Sequence, residues 1–98
     1  MMQSMKAKPI VKSKDVRSDG TIIEITIWEL LTPTPPSTHS YKYRLYFGTR
    51  ETCRVRYDNE RGKGDHKHIN STEIEYAFNT LNQLLDDFEN DIANWSEP

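Results

Sequence analysis

The run from Tyr57 to His68 (Tyr-Asp-Asn-Glu-Arg-Gly-Lys-Gly-Asp-His-Lys-His) gathers more reactive groups than any other stretch of the 98-residue chain. Eight of its twelve residues are Asp, Glu, Arg, Lys or His, and Gly62 and Gly64 flank Lys63. His66 and His68 are two residues apart. On an extended backbone alternate side chains share a side, so the two imidazoles would face together while Lys67 and Ile69 face away.

Three chemistries fit these residue types. The first is acid–base cleavage of RNA, which needs a base for the ribose 2′-hydroxyl, an acid for the leaving 5′-oxygen and cations for the phosphorane charge. Imidazole suits both proton roles because its unperturbed pKa, about 6.5, lies near working pH. His66 and His68 are the acid–base candidates, Asp58 would orient a histidine or an arginine, and Arg56, Arg61 and Lys63 would hold phosphate. That reaction requires no metal or other cofactor. The second is a metal site, since His-x-His on a strand is a common ligand pair that Asp58 or Asp65 could complete. The third is binding without catalysis, with a basic face on phosphates and Tyr46 or Tyr57 stacked on bases. Against all three stands the plain alternative that a charged glycine loop is solvated connection. Gly62-Lys63-Gly64 could aim N–H groups and an ammonium at one anion. It is not a Walker-type loop, because the longer Gly-x-x-x-x-Gly-Lys-Ser/Thr spacing is missing.

The elements that must position these groups come from periodicity. Residues 9–18 read as a short strand, and Ser18-Asp19-Gly20 as a turn. Thr21 to Leu31 is the clearest strand, with Ile23, Ile25 and Ile27 on one face. Pro33, Pro35 and Pro36 make residues 32–40 an extended loop, in which His39 reads as a surface residue. Tyr41 to Gly48 alternates again, with Tyr41, Tyr43, Leu45 and Phe47 on one face and Lys42, Arg44 and Tyr46 on the other. Gly48-Thr49-Arg50-Glu51 reads as a turn. The return strand Thr52–Asp58 sets Cys53, Val55 and Tyr57 against Arg54 and Arg56. Lys42, Arg44, Arg54 and Arg56 thus form a basic sheet face and join Tyr57 as candidate substrate contacts.

Two readings are open for residues 73–78. Ile74, Tyr76 and Phe78 alternate as a strand, whereas a Thr72-x-x-Glu75 capping box would start a helix there. The strand is preferred. Leu81, Leu84, Leu85, Phe88, Ile92 and Trp95 repeat at helical spacing after a second box, Thr80-x-x-Gln83. Trp28 and Trp95 are assigned to packing. The expected fold is α+β and two-layered: an antiparallel sheet of four to five strands covered on one face by a C-terminal helix. Residues 1–8 are expected to be a disordered N-terminal extension of a single domain spanning 9–96.

Size and composition bound the rest. One domain of this length buries roughly two-thirds of its unfolded surface, and with 35% hydrophobic residues its core is thin. No apolar run approaches the roughly 20 residues of a membrane span. Met1 to Pro9 lacks the apolar segment of a signal peptide, and Met5 is an alternative start. The lone Cys53 builds no disulfide framework and reads as a packed, inert thiol. A cytoplasmic protein is expected. All 13 basic residues fall in 1–68, against 8 acidic ones, while residues 69–98 hold 7 acidic and no basic residues. Such a split offers one surface to an anionic partner, or lets the halves complement each other within the fold. A homodimer through a sheet edge is also open.

The run Tyr57 to Ile69, with its Asp-Asn-Glu-Arg-Gly-Lys-Gly-Asp-His core, resembles the signature of the TumE-like toxins of toxin–antitoxin systems. Lys6-Ala7-Lys8-Pro9-Ile10-Val11, Gly20 to Leu30, Tyr41 to Tyr46, Tyr76-x-Phe78 and Leu84-Leu85-x-Asp87-Phe88 resemble it too, so the likeness spans about residues 5–90. It implies a small bacterial or archaeal toxin encoded beside a helix-turn-helix antitoxin, and it favours RNA or the translation machinery as the target, with ribonuclease activity as one form of that. A non-enzymatic module binding nucleic acid or protein is the alternative.

Overall fold

The computed structural model describes residues 7–98. Residues 1–6 of the expected N-terminal extension lie outside the described residues, and Ala7 and Lys8 already belong to a strand. Six strands follow one another: β1 (Ala7–Val16), β2 (Ile22–Leu30), β3 (Tyr41–Gly48), β4 (Cys53–Glu60), β5 (Gly64–Ile69) and β6 (Thr72–Glu75). They form one sheet in the order β1-β2-β3-β4-β5-β6, every neighbouring pair antiparallel. One helix, α1 (Leu81–Asn94), follows and packs on the sheet over β4. The α+β, two-layer expectation holds, with six strands in place of four to five. The segment read as a loop between Asp58 and Asp65 is mostly ladder. β4 runs on to Glu60 and β5 begins at Gly64, leaving only Arg61, Gly62 and Lys63 to turn.

Alternation sorts the strands onto two faces. Ile27, Tyr43, Leu45, Phe47, Val55 and Tyr57 turn to the helix and bury with Leu84 and Phe88 as the core. Leu84 and Phe88 are the buried residues of the helix, four apart and therefore stacked on one side of it. Thr80 caps the helix, its hydroxyl accepting from the Gln83 N–H at 3.0 Å. Only that half of the expected capping box forms, because the Gln83 amide donates instead to Asp87 at 2.7 Å. Residues 73–78 split: β6 ends at Glu75, Ile74 is exposed, and Tyr76 and Phe78 pack on the core from an irregular stretch. Pro9 sits in the edge strand β1, where a missing N–H costs no ladder bond, next to a register shift before Val11.

Phe47 pairs with Val55 and Gly48 with Cys53, so Arg54 is an extra residue, a β-bulge. Its backbone approaches so closely that a Cβ on Gly48 would overlap the Thr52 carbonyl oxygen. The bulge carries Arg54 to the helix side, where its guanidinium lies 4.2 Å from the Trp95 ring centroid. Cys53 is left near Tyr46 and Arg56. The expected pairing of Cys53 with Val55, and of Arg54 with Arg56, is therefore corrected at both residues.

Candidate functional site

The sheet face opposite the helix carries no packed element among the described residues. Directly paired residues of neighbouring strands share a face, so two rows cross it. One runs Lys12, Thr26, Arg44, Asp58, His66, Glu75; the other runs Lys14, Glu24, Tyr46, Arg56, His68, Glu73. Trp28 and Lys42 pair beyond the first row. A cleft of about 150 Å³ lies between Thr26, Trp28, Lys42, Arg44 and Asp58. A second, of about 240 Å³, lies between Lys14, Glu24, Arg44, Tyr46 and Arg50.

The charged corner sits at the β4–β5 end of these rows. Asp58 and His66 oppose each other across the ladder, and Oδ1 of Asp58 lies 2.6 Å from Nε2 of His66. That contact is too far off the ring N–H axis to be a hydrogen bond, so both atoms are buried without a hydrogen-bond partner among the described residues. The other ring nitrogen of His66, Nδ1, donates to the Gly64 carbonyl at 3.1 Å. His66 is only 2% exposed. His68 is more open. Its ring centroid is 5.4 Å from that of His66, on the same side, as the spacing predicts. Nε2 of His68 accepts from Arg56 Nη2 at 2.9 Å and lies 3.2 Å from Glu73 Oε1. Burial, and after it the Arg56 charge, hold the His68 imidazole below its ordinary pKa. Arg56 Nε also sits 3.3 Å from Asp58 Oδ2. Cys53 nearby is pushed up by burial, which keeps its thiol protonated.

The remaining predicted contacts scatter. Lys42 and Arg44 are on the open face with Arg56, and the Lys42 ammonium donates to the Asn59 carbonyl. Arg61 lies at the turn, against Leu30, Leu31 and the start of the proline loop. Lys63 is paired with Glu73 at 2.7 Å on the surface. The anion nest expected of Gly62-Lys63-Gly64 is used up internally: the Gly62 N–H donates to the Pro35 carbonyl and the Lys63 N–H to that of Glu60. Arg54 is on the far face. Tyr57 is 0% exposed, so its ring offers no platform to a ligand; its hydroxyl donates to Asp91 of the helix. Trp28, assigned to packing, lies instead on the open face beside Lys42. Its place two residues from Thr26 carried that signal, since Ile27 between them points to the core.

Asp65 completes no site with His66, because the two point to opposite faces. On the helix side Asp65 anchors a separate network. Its Oδ2 accepts from the Tyr43 hydroxyl at 2.7 Å and from His39 Nε2 at 2.6 Å, and its Oδ1 accepts from Ser37. His39 is thus no free surface residue. Its Nδ1 accepts from the Tyr41 N–H at 3.1 Å, which places the proton on Nε2, and its ring stacks on Phe78 with centroids 3.8 Å apart. Burial foremost, then Asp65, push the Tyr43 phenol far above its ordinary pKa, so it remains a donor. Asn59, buried beside it, extends the ladder with its side chain by accepting from the Tyr43 N–H and donating to the Tyr41 carbonyl. This scaffold holds the proline loop against β5, directly behind the histidine corner.

No helix among the described residues is long and apolar enough to cross a membrane. No curated protein and no solved structure matches the chain. The family model described as toxin TumE matches residues 5–96, which include every element of the sheet, the helix and the histidine corner. The chain belongs to the TumE toxin family.

Proposed function

We propose that this toxin acts on RNA through the open sheet face, with cleavage at the His68 corner. The observation that supports the reading is the composition of that face: Lys12, Lys14, Lys42, Arg44 and Arg56 on neighbouring strands, interleaved with Trp28 and Tyr46. Cations at strand spacing track a phosphate backbone, and aromatic rings stack on unpaired bases. His68 carries a neutral imidazole whose lone pair is held by Arg56. An arriving phosphate would draw the guanidinium to its own oxygens and release Nε2. His68 then takes the proton of the 2′-hydroxyl as that oxygen attacks phosphorus, Arg56 and Arg44 meet the charge on the phosphorane, and the 5′-oxygen leaves with a proton from water. His66, enclosed between Asp58 and the Gly64 carbonyl, acts in this arrangement as a positioning residue rather than the free acid. In the cell the toxin would work in the cytoplasm and be held by a helix-turn-helix antitoxin.

Expression without the antitoxin is expected to arrest growth. His68→Ala should relieve the arrest in a folded protein and slow RNA cleavage by about 10²–10⁴-fold, the worth of a general base. His66→Ala should relieve the arrest too. Products from purified protein should end in a 2′,3′-cyclic phosphate. Harmless expression of the folded wild type would overturn the reading. The enclosure of His66 favours one alternative, RNA held without being cut, and binding with no cleavage products would select it.

A further inference from the structure

The contact between Asp58 and His66 is not explained by proton transfer. With its Nδ1 proton given to Gly64, His66 aims Nε2 at a carboxylate oxygen 2.6 Å away. Both atoms are buried, and neither makes a hydrogen bond. A cation between them would be bonded by both. We propose that Asp58, His66 and His68 form a binding site for a divalent transition metal.

The geometry carries this in three ways. First, one ligand atom from each of the three residues lies within 4.8 Å of the other two. A tetrahedral ion with bonds of roughly 2.0–2.2 Å spaces its ligand atoms about 3.4 Å apart, so side-chain shifts of about an ångström suffice. Second, a backbone carbonyl on the far nitrogen of a histidine is the support that fixes tautomer and ring direction in metal sites, and Gly64 supplies it. Third, two imidazoles and one carboxylate suit Zn²⁺ and its neighbours rather than Mg²⁺ or Ca²⁺, which take oxygen ligands. Glu60, 3.8 Å from His66 Nε2, and Glu73, 3.2 Å from His68 Nε2, add negative charge at the rim.

Arg56 gives the site its consequence. Its guanidinium and the ion compete for the same lone pair on His68 Nε2. Loading therefore frees Arg56 and leaves His68 without a lone pair for a substrate proton. The metal-loaded site and the proton-accepting site are two exclusive states, and the ion is expected to suppress cleavage of the kind proposed above. Only that suppression rests on the RNA reading.

Calorimetric titration of the metal-free full chain with Zn²⁺ and, separately, Mg²⁺ tests the proposal. One Zn²⁺ per chain is expected, with micromolar or tighter affinity, and no Mg²⁺ binding. His68→Ala, at a partly exposed position that leaves the core intact, should weaken Zn²⁺ by at least about 100-fold, comparable to the largest losses from disturbing ligand support. Asp58→Asn should do the same, while Arg56→Gln should bind as tightly or tighter. Co²⁺ substitution should give the intense visible bands of a tetrahedral centre. Absence of Zn²⁺ binding by folded protein, or binding unchanged in His68→Ala, would overturn the site. Zn²⁺ binding by a folded chain that cleaves no RNA even when metal-free would leave the site standing and sink the RNA reading. Cleavage that persists in a chain unable to bind Zn²⁺ would do the reverse.

Discussion

Replacing Asp65 by alanine should remove a large share of the stability of the fold, and the size of the loss can be worked from the three donors it serves. Tyr43 (1% exposed), Ser37 (7%) and the His39 ring would all lose their acceptor. A buried donor without a partner costs about 1–3 kcal/mol. The Tyr43 hydroxyl and His39 Nε2–H have no alternative acceptor in the network described above, and the Ser37 hydroxyl, buried but free to rotate, adds the least of the three. The expected loss is therefore about 3–5 kcal/mol, against a total for a chain of this size of roughly 5–15 kcal/mol. Asp65→Asn is the control. With its amide toward Ser37, which can accept, its carbonyl still serves Tyr43 and His39, and the loss is that of charge assistance, about 1–2 kcal/mol. Urea unfolding followed by Trp28 and Trp95 fluorescence measures both. With a slope of about 1–2 kcal/mol/M, the midpoint should fall by roughly 2 M or more for alanine and by about 1 M for asparagine. Tyr43→Phe supplies the coupling: costly in the wild type, it should cost little once Asp65 is alanine, because the acceptor is already gone. An Asp65→Ala loss below about 1 kcal/mol, or a Tyr43→Phe cost equal in both backgrounds, would refute the network as the fastening of the proline loop.

Other outcomes follow from single contacts. Gly48→Ala should cost more than Gly64→Ala in the same unfolding assay. The first drives a Cβ into the backbone of Thr52, whereas the second adds about 1–2 kcal/mol of left-handed backbone strain at φ +82° and presses on a yielding proline ring, Pro36. Trp28→Ala should leave the unfolding curve nearly unchanged and weaken single-stranded RNA binding by about 1–3 kcal/mol, the worth of one stacked base; unaltered binding would remove Trp28 from the interface. The pH dependence has a definite sign. Because folding lowers the His68 pKa, its neutral form survives to a lower pH than a free imidazole's, so the acid limb of a cleavage profile should lie below about 6.5. Arg56→Gln should move that limb upward. Linkage gives stability the same direction: the His68 contribution is complete above the unfolded pKa and is lost as pH falls through the folded one.

Much of this is legible in the sequence. Alternation of Ile23, Ile25 and Ile27, and of Tyr43, Leu45 and Phe47, defined two central strands and their buried side. The spacing of Leu84 and Phe88 defined the helix face. The same-side placement of His66 and His68 followed from the period of a strand, the same period that sets Asp65 on the other face and removes it as a third ligand beside them. What escaped depends on pairing partners that a sequence does not display. The bulge at Arg54 exists because Gly48 lets the Thr52 carbonyl come close, and nothing local to Arg54 marks it. His39 looked like loop surface because its partners, Asp65 and Phe78, lie 26 and 39 residues away. Tyr57 has the phase of a core residue, and its neighbours Val55 and Leu45 place it in the core even though an aromatic beside a charged segment suggests stacking.

The meander has a consequence for how the toxin is made. Each strand pairs with the strand synthesised just before it, so the ladder can assemble in order as the chain leaves the ribosome. The helix comes after all six strands, yet it covers the apolar face built by β3 and β4. Until Leu84 and Phe88 have emerged, that face, with Phe47, Val55 and Tyr57, is open to water and to other chains. During that interval a nascent chain is a better target for a chaperone or protease than for its own substrate. Activity would therefore begin only once the last turns of the helix close the core and stiffen the sheet behind the histidines.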